Sequence, residues 1–161
     1  MRVRGGEQNV MANHAEQSEL DVPGAVVVGV DGSDSSRRAL EWAAEYARQM
    51  GHPLVAIYAW EWPRRFGVLA PLPSVTDFED DGRQILVESI EKALGPDRAP
   101  QVARKVLRGY AALVLVEASR TASLVVVGSR GHGEFAGMLL GSVSEFLSTH
   151  AHSPVVIVRG D

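Results

Sequence analysis

Apolar and polar positions alternate between two textures along most of the chain. Short, unbroken, β-branched runs read as strands buried on both faces: Ala25–Val30, Leu54–Trp60, Leu124–Gly128 and Pro154–Val158. Between them lie stretches with helical spacing. Ala39, Leu40, Trp42, Ala43, Tyr46, Ala47 and Met50 predict one face of a helix that Ser33 caps and Gly51 with Pro53 stops. Ile85, Leu86, Ile90, Ala93 and Leu94 predict a second inner face, opened by the capping-box spacing of Thr76 to Glu79 and closed by Gly95-Pro96. Tyr110–Arg120 and Ser142–His150 complete the helices, and Val102–Leu107 alternates apolar with basic residues, as a strand near a sheet edge does.

Strands that alternate with helices need crossover connections. The pattern therefore predicts a single α/β domain, a mainly parallel five-stranded sheet with helices on both faces. Such doubly wound sheets bind ligands at the carboxyl ends of their strands, beside the point where strand order reverses. Asp31-Gly32-Ser33 and the segment from Gly128 both follow strands, so they share a crevice if those strands are neighbours. Residues 1–22 are polar and aperiodic and read as a disordered tail ahead of a domain spanning 23–161. Residues 61–76, with Pro63, Pro71 and Pro73, read as a long loop.

Composition narrows the chemistry. The 161 residues contain no Cys, which excludes disulfides, thiolate metal sites and cysteine nucleophiles and fits a cytoplasmic setting. A net charge of −4 without a basic block argues against nucleic acid as partner, and no apolar run reaches membrane-spanning length. Of the 16 basic residues only Lys92 and Lys105 are lysines, and neither follows Gly, so a Gly-Lys-Ser/Thr phosphate loop is absent. Five of the 16 glycines fall between Gly128 and Gly141. Glycines let backbone N–H groups approach an anion, and Gly141-Ser142 opens a helix whose N-terminus favours phosphate. The same residues also read as an ordinary turn, with Ser142-x-x-Glu145 as a capping box, and local chemistry leaves both readings open.

The spacing Gly128-x2-Gly131-x9-Gly141-Ser142 resembles the nucleotide-binding motif of the universal stress protein family. The resemblance extends over residues 24–158 through Val28–Ser33, Tyr58-Ala59-Trp60 and the closing His150–Val158. It implies strand order 3-2-1-4-5, a homodimer through the last strand, and an adenine nucleotide, ATP with Mg, as ligand. By matching position it places Gly29, Asp31 and Ala59 beside the adenine and ribose. Gly128, Arg130, Gly131, His132 and Gly133 would wrap ribose and phosphates, with Gly141, Ser142, Val143 and Ser144 at the phosphate end. Gly29, Val30 and Ser153 depart from residues common in the family, and none removes a phosphate donor. The implied function is a regulatory module in stress response, with slow hydrolysis at most.

Two other functions compete: a nucleotide-free dimeric scaffold, as in the family branch that lacks the glycine motif, and an adenylating enzyme like the ATP pyrophosphatases. The second has only Gly32-Ser33-Asp34-Ser35 in its favour, and Asp31 stands where a carboxylate would repel pyrophosphate. His150 and His152 lack the i,i+4 spacing of a helical metal pair and read as helix-end residues, and no metal site is expected. Trp60, Trp62 and Phe66 read as packing over the sheet edge or as cover for a base or partner.

Overall fold

The computed structural model describes residues 20–62, 74–132 and 139–159. Five strands, β1 (Val26–Gly29), β2 (Leu54–Trp60), β3 (Ala103–Arg108), β4 (Leu124–Gly128) and β5 (Val155–Val158), form one sheet in the order β3-β2-β1-β4-β5. Every pairing is parallel, with Val26 facing Leu54 on one side and Leu124 on the other. Among the described residues four helices cover it: α1 (Asp34–Met50), α2 (Val75–Leu94), α3 (Ala111–Ala118) and α4 (Ser142–His150).

The alternation of side chains along the central strands divides the core in two. Val26, Val28 and Val126 pack under α1 and α2 with Leu40, Leu86 and Ile90. Val27, Val125 and Val127 pack under α3 and α4 with Leu115 and Leu147. A strand with one helix layer on each face has no polar side to show, hence its continuous valine runs.

Local signals set most boundaries. The Ser33 side chain accepts the Ser36 N–H at the start of α1, and Gly51 ends the helix in a left-handed conformation (φ 69°). The α2 start differs from expectation. Ser74, not Thr76, is the N-cap: its Oγ accepts the Asp77 N–H at 3.2 Å, and the Asp77 carboxylate accepts the Ser74 N–H at 2.7 Å. Two overlapping polar triplets compete here, and the upstream one satisfies a donor at both ends.

Two residues assigned to the inner face of α1 lie outside it. Trp42 is 39% and Met50 57% exposed, whereas Ala39, Leu40 and Ala43 are fully buried. Small side chains seat the helix close to the sheet, and Trp42 is left at the margin, stacked on Tyr46 with centroids 5.2 Å apart. The packed chain also reaches into the segment read as tail. Val22 is buried, and its N–H donates to Thr121 Oγ1 at 3.0 Å.

The revised face has a measurable consequence. Leu40→Ala should destabilise the fold by about 2–5 kcal/mol, whereas Met50→Ala should stay within about 0.5 kcal/mol in urea titration. Equal losses would contradict the assignment of the buried stripe.

Candidate functional site

β1 and β4 are hydrogen-bonded neighbours, and beyond their carboxyl ends a cavity of about 430 Å³ opens. Gly29 and Asp31 reach it from β1, Ala59 from β2, and Gly128, Arg130, Gly131 and His132 from β4. Gly141, Ser142, Val143 and Ser144 close it from the start of α4. Eleven of the twelve residues singled out in the sequence therefore line one space, and Gly133 lies outside the described residues.

Asp31 is oriented by the turn it begins. Its Oδ1 accepts the Ser33 N–H at 3.0 Å and the Ser33 hydroxyl at 2.6 Å. Ser33 Oγ in turn accepts the Ser36 N–H, so one chain of bonds joins the carboxylate to the helix cap. The second oxygen, Oδ2, faces the glycine turn, and a Cβ on Gly131 would stand 2.5 Å from it. His132 completes the contact with Nε2 2.7 Å from the Asp31 carbonyl oxygen. Because a carbonyl only accepts, that nitrogen carries the proton. The Asp31 charge is also felt at Tyr58, whose phenol pKa is raised first by burial and then by Asp81 and Asp31.

Gly128 has a separate steric reason. A Cβ there would overlap the Ser35 hydroxyl and come within 2.7 Å of the Ser35 carbonyl carbon, in the first turn of α1. Only a glycine lets the end of β4 pass this rigid backbone.

Donors gather at α4. Gly141 is its N-cap, with no side-chain cap bond, so the capping box that Ser142 and Glu145 offered does not form. The Gly141 N–H donates to Ser129 O at 2.7 Å, which pins the helix start beneath the β4 turn. Ser144 Oγ donates to Gly141 O at 2.9 Å, and Glu145 N–H to the same oxygen at 2.9 Å. Among the described residues the N–H groups of Ser142, Val143 and Ser144 meet no acceptor, as the first turn of a helix leaves them.

The opposite end of the cavity is apolar, lined by Ile57, Val127, Ala111 and Leu115. It finishes in a peptide edge. Ile57 O accepts the Val30 N–H at 2.9 Å on the β1 side, while Trp60 O accepts the Gly109 N–H at 2.8 Å on the β3 side. Alternation along the strand turns the Ala59 N–H and C=O toward β1, whose pairing with β2 stops at Gly29 and Ile57. Both groups thus face the cavity.

Ala111, Leu115, Ser36 and Glu145 also line the site and were not singled out for it. The α3 residues signalled only a buried helix face, and no local pattern tells that this face roofs a cavity. Trp60 and Trp62 gather instead around Phe78 of α2, with Trp60 stacked at 5.2 Å, and Phe66 lies outside the described residues. His150 ends α4 stacked on Phe146 at 4.0 Å. Among the described residues no group of three or more His, Asp or Glu converges as a metal site, and no helix is long and apolar enough to cross a membrane.

The contact at Gly128 is far closer than the one at Gly141, where a Cβ would find its nearest atom at 3.4 Å. Gly128→Ala should therefore lower stability by about 1–3 kcal/mol and Gly141→Ala by clearly less, read as thermal midpoints. The reverse order would contradict the close approach of β4 to α1.

The family model of the universal stress proteins matches residues 24–159. The chain is 39% identical over 160 residues to the universal stress protein Rv2623 of Mycobacterium tuberculosis, covering 93% of this chain and 50% of that one. It thus spans about half the length of the curated relatives it matches. Among solved structures it is similar to the universal stress protein UspA from Lactobacillus plantarum (TM-score 0.71, 20% identity, 84% of this chain and 97% of that one). It is also similar to a universal stress protein crystallised in complex with cAMP (TM-score 0.63, 29% identity, 88% and 100% covered).

Proposed function

The chain belongs to the universal stress protein family, and from that premise we propose that its cavity holds an adenine nucleotide, ATP with Mg, as the input of a regulatory module. The observation that carries this reading is the pairing, within one cavity, of an apolar end with an open peptide edge and an opposite end with unmet N–H donors.

Each end suits one part of the ligand. Ala59 offers a donor and an acceptor side by side, the complement of the acceptor N1 and the donor amine on the Watson–Crick edge of adenine. Guanine presents the reverse order on that edge. Asp31 Oδ2 accepts from a ribose hydroxyl, and the turn through Gly128 and Gly131 lets the backbone lie against the sugar. The N–H groups of Ser142, Val143 and Ser144, the hydroxyl of Ser142 and the positive end of α4 receive phosphate oxygens. Arg130 adds the cation. Mg bound to the phosphates would offset their charge, and Asp31 Oδ2 is the carboxylate oxygen that faces the glycine turn. The relative crystallised with cAMP supports the adenine class.

Occupancy, rather than turnover, is the output of such a site. Nucleotide bridges the β1 turn, the β4 turn and α4, so binding restrains three segments relative to one another and biases the choice of partners in a cytoplasmic stress response. The open edge of β5, where all four residues are half-buried, pairs with a second copy of the chain.

Calorimetry with Mg and nucleotide tests the ligand. ATP should bind with a micromolar Kd, near −8 kcal/mol, and GTP about tenfold or more weakly. Gly131→Val, which projects a side chain onto Asp31, should abolish ATP binding without unfolding the protein. Equal affinity for ATP and GTP would contradict the role of Ala59, and absence of heat with ATP would contradict the reading as a whole. Light scattering tests the edge: the expected mass is twice the 17.3 kDa of the chain, returning to one copy in Ile157→Lys. A monomeric parent at micromolar concentration would contradict the pairing.

A further inference from the structure

Among the described residues four ionisable side chains line the cavity: Asp31, Arg130, His132 and Glu145. Glu145 has no part in the ligand contacts assigned above. It is the fourth residue of α4, three after Ser142, so the two share one helix face. Helical side chains lean back toward the N-terminus. Its carboxylate is thereby carried over the turn whose N–H groups are unmet. The Glu145 backbone is committed, its N–H to Gly141 O at 2.9 Å and its carbonyl to the Ser148 hydroxyl at 2.7 Å. Its carboxylate forms no ion pair among the described residues.

A helix N-terminus favours one nearby negative charge, and Glu145 already supplies it. Any phosphate docked there shares that field with a like charge. Asp31 Oδ2 brings a second carboxylate to the same space, against one permanent cation, Arg130, among the described lining residues. His132 offers little relief, since its Nε2–H is used on the Asp31 carbonyl.

We propose that Glu145 determines how many phosphates the bound nucleotide can carry without a divalent cation, making the site permissive for a singly charged phosphate ester and cation-dependent for a triphosphate. This rests on the nucleotide reading above and adds to it the residue that sets selectivity by charge. A cyclic monophosphate carries one negative charge and a free triphosphate several, so the repulsion grows with phosphate number. Across roughly 6 Å, at an effective dielectric constant of about 40, each additional charge costs about a factor of ten in affinity. Mg bound to the phosphates cancels that penalty whether or not it touches the protein.

The experiment is a binding titration of the full chain with ATP and with cAMP, each in EDTA and in Mg, repeated for Glu145→Gln and Glu145→Asp. Glu145 is exposed, so both variants keep the fold, which the thermal midpoint checks. In the parent, Mg should strengthen ATP at least about tenfold and change cAMP by less than about twofold. Glu145→Gln should strengthen metal-free ATP by well over tenfold and cAMP by no more than about tenfold, while Glu145→Asp should keep the parent's dependence on Mg. An unchanged metal-free ATP affinity in Glu145→Gln, with nucleotide still bound, would overturn the role of Glu145 alone. Failure of the parent to bind ATP or cAMP in either condition would overturn the nucleotide reading itself.

Discussion

The carboxyl ends of β1 and β4 share a cavity because the two strands are adjacent and parallel, with Val26 opposite Leu124 and Val28 opposite Val126. At the end of that ladder the chain packs more closely than a side chain permits, Gly128 against the Ser35 backbone and Gly131 against the Asp31 carboxylate. Everything in the site follows from this packing. The β4 turn lies low enough for Ser129 O to accept the Gly141 N–H, and this bond sets where α4 begins and where its open N–H groups point.

The sheet explains why the site is open at its other end. β2 runs to Trp60 while its pairing with β1 stops at Ile57, so the Ala59 peptide emerges beyond its neighbour. A parallel sheet with a reversal of strand order leaves such an uncovered step. Here α3 roofs it with Ala111 and Leu115, giving the step an apolar ceiling. The cavity is thus the product of strand lengths and one helix face, none of which depends on a ligand.

Much of the fold was legible in the sequence because its signals are local and strong. The valine runs have no polar face, Ser33 is followed by a helical stripe, and Gly51 and Gly95 stop their helices. The start of α2 was misplaced by two residues because Ser74-Asp77 and Thr76-Glu79 offer the same spacing, and only the hydrogen bonds distinguish them. Trp42 and Met50 were misread because periodicity finds a stripe wider than the one the sheet covers. In the site, the glycine spacing carried Gly128, Gly131 and Gly141. The contribution of α3 and of Glu145 was invisible, since it arises only when distant segments meet. The capping box at Ser142 failed for a related reason: a bond from Gly141 to Ser129 settles the helix start before a side chain can.

Nucleotide held between the Ala59 peptide and the first turn of α4 would mark both segments in amide NMR. On titration with Mg and ATP, the largest shift changes should fall on the amides of Ala59, Asp31, Gly131, Ser142, Val143 and Ser144, with residues such as Trp42 and Glu91 unmoved. Shift changes concentrated on α1 and α2, or confined to the α4 turn with Ala59 silent, would contradict it.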